Sequence, residues 1–261
     1  SSLLAAMAAA SLSVARCVGW SSAGLAAAGV AKAVHLRFSY VSPEAPAGQL
    51  HGHAGQGWRG PPLRLLFVGD SVCLGVGAKV AAPMQSACAE RLAALREQPV
   101  AWSTVAAIGA DVRELRALFE AQGGAFDIAV VLCGVNDGKK LLQGRLPHVF
   151  RRDLAELCTS LRQVAPEGRI SVPMIPGFAV APLLQAWPLR HLVGALLGQF
   201  ESQKVALAAS AALHCPTPPL ESLPQPADAE LWAADGVHPS GEGYRLIGEW
   251  LGSALAKEQE E

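Results

Sequence analysis

The chain runs to 261 residues, 51% hydrophobic and 16% charged, with a formal net charge of −1. That length and apolar share suffice for one full-sized core, and the near-neutral balance excludes recognition of nucleic acid through a basic field. Six cysteines (17, 73, 88, 133, 158, 215) form no CxxC pair and keep no regular spacing, which argues against a disulfide framework, secretion or a zinc site.

Residues 1–43 stand apart. They hold no acid, the first being Glu44, yet carry Arg16, Lys32 and Arg37 among many Ala and Ser. Two readings fit: an acid-poor, Ser-rich organelle-targeting segment, or membrane association through a mildly apolar anchor. The uncharged runs Leu3–Ala15 and Cys17–Ala31 are both shorter than the roughly 20 residues a spanning helix needs. The first residue is Ser rather than Met, so the natural chain is expected to begin upstream. Residues 44–62 are rich in Pro and Gly and read as a linker, with His51 and His53 in a solvated loop. Residues 63–256 are expected to form one domain, followed by a polar tail over 257–261.

From Leu63 onward, strand and helix signals alternate. Leu63–Val68 reads as a buried strand, Ala87–Arg96 as a helix and Val100–Val105 as a short strand. Asp111-Val-Arg-Glu114 has the spacing of a capping box ahead of Leu115, Leu118 and Phe119. Phe126–Cys133 reads as a strand, and Phe150, Leu154, Leu157, Leu161 and Val164 recur at helical spacing. Ile170–Met174 reads as a strand, Leu189–Leu213 as a long helix and Gly243–Ala256 as a final one. Strands separated by helices imply parallel pairing with right-handed crossovers. The expected fold is therefore a three-layer α/β/α sandwich with a mainly parallel sheet.

Several polar residues fall at the ends of these strands. The first strand ends in Gly69-Asp70-Ser71, where open α/β sheets place their sites, and Gly69 is expected to turn the chain tightly. Cys73 stands where the second glycine of a G-x-S-x-G elbow belongs, and no phosphate-binding loop surrounds the serine. The strand over 126–133 ends in Gly134-Val-Asn136-Asp137, and the strand over 100–105 leads to Gly109. Near the C-terminus comes Asp235-Gly-Val-His238-Pro239. In a parallel sheet, Ser71, Gly109, Asn136 and His238 all sit on loops of one edge.

In these four blocks, in this order, the chain resembles the GDSL, or SGNH, hydrolase family, and most of all its single-domain bacterial-type members. The resemblance spans residues 63–255 and implies the flavodoxin-like version of the sandwich. It implies a serine esterase that needs no cofactor and no metal and acts on a small-molecule or lipid ester. Ser71 is then the nucleophile, His238 its base and Asp235 the acid that orients the imidazole. A histidine ordinarily titrates near 6.5, close to the operating pH of such a base. Gly236 lets the loop between them turn. The oxyanion hole is implied to be the N–H groups of Ser71 and Gly109 with the Asn136 amide. Asp70 and Asp137 read as acids that hydrogen-bond backbone in their own turns. The apolar stretch Met174–Trp187 is a candidate acyl pocket. Acyl transfer through the same acyl-enzyme, or a binding protein that keeps only the fold, are the alternatives.

Overall fold

The computed structural model of the chain describes residues 39–175, 180–219 and 224–257, with Gly24, Gly29, Ala31, Lys32 and His35 ahead of them. Most of the targeting or anchor segment at 1–43, and the tail beyond 257, lie outside the described residues. Among the described residues, no helix is long and apolar enough to cross a membrane.

Five strands, β1 (His51–Ala54), β2 (Leu63–Gly69), β3 (Val100–Ala106), β4 (Ile128–Leu132) and β5 (Arg169–Ser171), form one sheet in the order β1-β3-β2-β4-β5. β2 pairs in parallel with β3 and with β4, and β4 in parallel with β5. The chain therefore steps from β2 outward to β3 and then back across to β4. Adjacent crossovers diverge at that point, which opens a crevice at the carboxyl ends of β2 and β4.

Both faces of the sheet are buried, as parallel strands require, and the side chains divide with a period of two. Leu66, Val68, Ala129 and Val131 join one core with Phe119, Phe150, Leu154, Leu157, Leu161 and Phe200. Those come from α3 (Val112–Gln122), α5 (Pro147–Val164) and α6 (Leu189–Ala211). Leu65, Phe67, Ile128 and Val130 point the other way, toward Met84, Cys88, Leu92, Tyr244, Leu251 and Leu255. Those belong to α2 (Pro83–Arg96) and α7 (Gly241–Lys257). Two short helices, α1 (Ser71–Leu74) and α4 (Val135–Lys139), sit at the strand ends where the sequence shows its polar blocks. The capping box is made: Asp111 accepts from the N–H groups of Arg113 and Glu114, and Glu114 Oε2 accepts from the Asp111 N–H.

Two expectations fail. The middle of 44–62 is no linker, because His51–Ala54 pair antiparallel with β3 along its whole length and finish that edge of the sheet. A four-residue strand written His-Gly-His-Ala has no alternating apolar residues to announce it. Gly69, in turn, is required for closeness rather than for an unusual turn. A Cβ there would stand 2.4 Å from Cys73 Sγ and 3.0 Å from the Leu132 carbonyl oxygen.

The seam between α2 and α7 rests on two other glycines. A Cβ at Gly248 would meet the Met84 carbonyl oxygen at 2.4 Å, and one at Gly252 would meet that of Cys88 at 2.6 Å. Gly248→Ala is expected to lower stability by roughly 1–3 kcal/mol through overpacking, which outweighs the ~1 kcal/mol helix-propensity gain. Gly198→Ala, exposed on α6 with nothing within 4 Å of the added methyl, keeps only that gain. Urea unfolding of both variants checks the opposite signs.

Candidate active site

Ser71 is the first residue of α1, directly after β2. Asp70 caps this turn by accepting from the Val72 N–H at 3.1 Å. The serine side chain thus stands on a rigid corner at the carboxyl edge of the sheet, 9% exposed. His238 arrives from the far end of the chain, and its Nε2 lies 2.9 Å from Ser71 Oγ.

A small hairpin-like loop aims the histidine. Trp232 bridges Pro239, the Ala233 N–H donates to the His238 carbonyl, and the Ser240 N–H donates to that of Leu231. At the tip, Gly236 takes a φ of +65°, a conformation costly for any residue with a Cβ. This tight return lets Asp235 fold back on His238. Asp235 Oδ2 lies 2.6 Å from His238 Nδ1, while Oδ1 accepts the N–H groups of Val237 and His238, each at 3.0 Å. Burial alone would raise the Asp235 carboxyl, but these hydrogen bonds outweigh it and hold the group well below the usual carboxylate range. Asp235 is therefore an anion at neutral pH, and an Nδ1–H tautomer follows because that nitrogen faces the carboxylate. Nε2 is then left to accept from Ser71 Oγ. Tyr244, on α7, donates its hydroxyl to the Val76 carbonyl at 2.7 Å and ties that helix to the serine loop.

The other two expected site residues lie beside this relay. Asn136 is buried on α4, and its Nδ2 donates to Asp70 Oδ2 at 2.7 Å and to the Ala110 carbonyl at 3.2 Å. One amide thereby links the serine turn to the loop that contains Gly109. Gly109 has a φ of +73°, and the space where its Cβ would stand is empty to 4 Å. Burial pushes the Asp70 carboxyl up, against the Val72 N–H and the charge of Lys139.

Behind the asparagine stands an ion network that no sequence signal announces. Arg145, 2% exposed, donates to Asp137 Oδ1 from Nη2 at 2.7 Å and pairs through Nη1 with Asp153. Asp137 also accepts from the Val112 N–H at 3.3 Å, and Lys140 bonds Asp111 at 3.1 Å. Asp70 holds backbone in its own turn at Val72, as expected, whereas Asp137 holds the Val112 N–H, 25 positions away, rather than its own turn; each also holds a side chain. Beside Gly134, Lys204 is fully buried; it donates to the Pro173 carbonyl and to Glu201, whose other oxygen takes the Ile175 N–H. Cys73 packs in the core, and burial pushes its thiol well up.

A cleft opens next to Ser71 and His238, walled by Met84, Leu132, Ile175, Trp232, Ile247 and Trp250 among others. Among the described residues of 174–187, only Met174 and Ile175 line it; Trp187 is 58% exposed and lies outside the wall. Residues 176–179 lie outside the described residues. The apolar walls come instead from α2, α7 and the Asp235 loop, which are distant in sequence.

Comparison with known proteins bears on the fold and the family. No curated protein matches the chain. Among solved structures, a lipase/acylhydrolase from Enterococcus faecalis superposes with a TM-score of 0.59 at 18% identity, covering 75% of this chain and 96% of its own. The lipase Lip_vut3 from a goat rumen metagenome gives 0.56 at 19% identity, covering 74% and 97%. A carbohydrate esterase family 2 enzyme with a carbohydrate-binding domain, from Corynascus thermopiles (Myceliophthora fergusii), gives 0.58 at 16% identity, covering 78% and 68%. At such identities these likenesses concern the fold. The model of the GDSL-like lipase/acylhydrolase family matches residues 67–246, the span that holds every block described above, and the chain belongs to that family of hydrolases.

Proposed function

We propose that the chain cleaves carboxylic esters through an acyl-enzyme on Ser71. The observation that carries this is the unbroken relay from Asp235 through His238 to Ser71, with contacts of 2.6 and 2.9 Å. A serine hydroxyl becomes a competent nucleophile when a base takes its proton during attack. His238 Nε2 takes it as Oγ bonds to the ester carbonyl carbon, and the Asp235 anion stabilises the imidazolium. The tetrahedral intermediate collapses, His238 returns the proton to the leaving alcohol, and the acyl group remains on Ser71. Water then attacks the acyl-enzyme, with His238 again as base, and releases the acid.

The developing oxyanion would meet the N–H groups of Ser71 and Gly109 and one proton of the Asn136 amide. Both Asn136 protons are engaged in the resting site, and the longer bond, to the Ala110 carbonyl at 3.2 Å, is the one that would open. The Asp70 bond then stays in place and keeps the amide aimed. Asn136→Ala is expected to retain the fold and lose roughly 10²–10³ in kcat, whereas Ser71→Ala loses turnover altogether; near-normal kcat in either variant would overturn the assignment.

The cleft beside the serine suits an acyl chain, because its walls are side chains of Met, Leu, Ile and Trp. Hydrolysis of p-nitrophenyl acetate, butyrate and octanoate by the full chain tests the whole reading. Ile247→Phe, which narrows the cleft, is expected to lower kcat/KM for octanoate by roughly tenfold relative to acetate. Equal losses on both esters would place the acyl chain elsewhere, and turnover of none of the esters would refute the hydrolase mechanism.

A further inference from the structure

Asp235 Oδ2 has a second donor. The hydroxyl of Tyr40 lies 2.7 Å from this oxygen and 3.3 Å from His238 Nδ1. Tyr40 precedes Asp235 by 195 positions and stands upstream of the residues 67–246 that the family pattern covers. Two contacts seat the described stretch, residues 39–50, that carries it. Gly48 passes so near the serine-side loop that a Cβ would stand 3.0 Å from that of Ala81. Leu50 packs against the core under α2 and α7, and β1 follows at once.

A carboxylate offers about four acceptor sites. In Asp235, two backbone N–H groups use Oδ1, and His238 Nδ1 and the Tyr40 hydroxyl use Oδ2. We propose that Tyr40 is a positioning residue of the triad that acts through Asp235: its hydroxyl fills the last acceptor site of the carboxylate and tempers the hold of Oδ2 on His238 Nδ1. The inference rests on reading Ser71, His238 and Asp235 as that triad. Burial, together with the hydrogen bond and charge of Asp235, pushes the Tyr40 phenol up, so the hydroxyl keeps its proton and remains a donor.

The sign of the effect follows from that donor. A hydrogen bond to the charged carboxylate lowers its basicity. In Tyr40→Phe the carboxylate turns more basic, grips the imidazolium harder, and moves the acid limb of kcat/KM to higher pH. The other groups facing the pair are unchanged in that variant: Asp70 beside the nucleophile, with Lys139 and Lys204 acting on it, and Tyr244 on α7.

The test uses the full chain, wild type and Tyr40→Phe, with two readouts. Rates on p-nitrophenyl acetate across pH give the acid limb, expected to rise by about half a pH unit. Proton NMR of the His238 Nδ1–H, expected to move downfield as its bond to Oδ2 strengthens, needs no turnover. An unshifted limb and an unmoved resonance in a variant that melts like wild type would overturn the proposal and leave Tyr40 a packing residue. Absence of ester turnover in wild type would overturn the esterase reading alone, since the resonance still decides the role of Tyr40.

Discussion

The contact between His238 Nε2 and Ser71 Oγ joins side chains 167 positions apart, and the surrounding architecture holds that one distance. Strand β2 and the cap at Asp70 fix the serine end. Helix α7, drawn against α2 by Gly248 and Gly252, fixes the histidine end, with the Tyr244 hydroxyl bonding the Val76 carbonyl between them. The packing of one face of the sheet and the alignment of the relay are therefore the same problem. A shift of α7 along α2 would displace Pro239 and the loop before it, and with them the His238 Nε2 that meets Ser71 Oγ.

The opposite side of the site is held by charge rather than by apolar fit. Arg145 is almost fully buried among Asp137, Asp153 and Asp111. Buried ion groups contribute little net stability once desolvation is counted, yet removal of one partner leaves an uncompensated charge. Their use here is geometric, because Asp137 also takes the Val112 N–H and so locks the Asn136 turn to the start of α3. Lys204 and Glu201 do the same for the chain after β5, through the Pro173 carbonyl and the Ile175 N–H.

What could be read in the sequence was what repeats with a period or caps an end. The buried strands at 63–69 and 128–132, the helices at 112–122 and 147–164, and the Asp111 cap all carry local signals that packing reinforces. Ser71, Gly109, Asn136 and His238 were legible as a set because a parallel sheet was expected to gather its loops on one edge, whereas Asp235 came from the family resemblance, and the loop that carries it and His238 follows no strand of the sheet. Strand β1 was not legible, since His-Gly-His-Ala earns its place only from the free edge of β3. Arg145 and Tyr40 were equally hidden. Each matters through a partner far along the chain, and nothing around them marks that partner. Trp187 misled because an apolar stretch says nothing about which way its side chains face.

The order of elements along the chain carries a consequence for biosynthesis. The core under α3, α5 and α6 is complete once residue 213 has been made, whereas the core on the other face waits for Tyr244, Leu251 and Leu255. At roughly 5–20 residues per second, on the order of ten seconds separate β4 from α7 on the ribosome. Throughout that interval Leu65, Phe67, Ile128 and Val130 lack the native cover that α7 supplies, and exposed apolar surface of this kind makes folding intermediates prone to aggregation. The nascent chain thus carries Ser71 early and can bring His238 to it only in the last steps of folding.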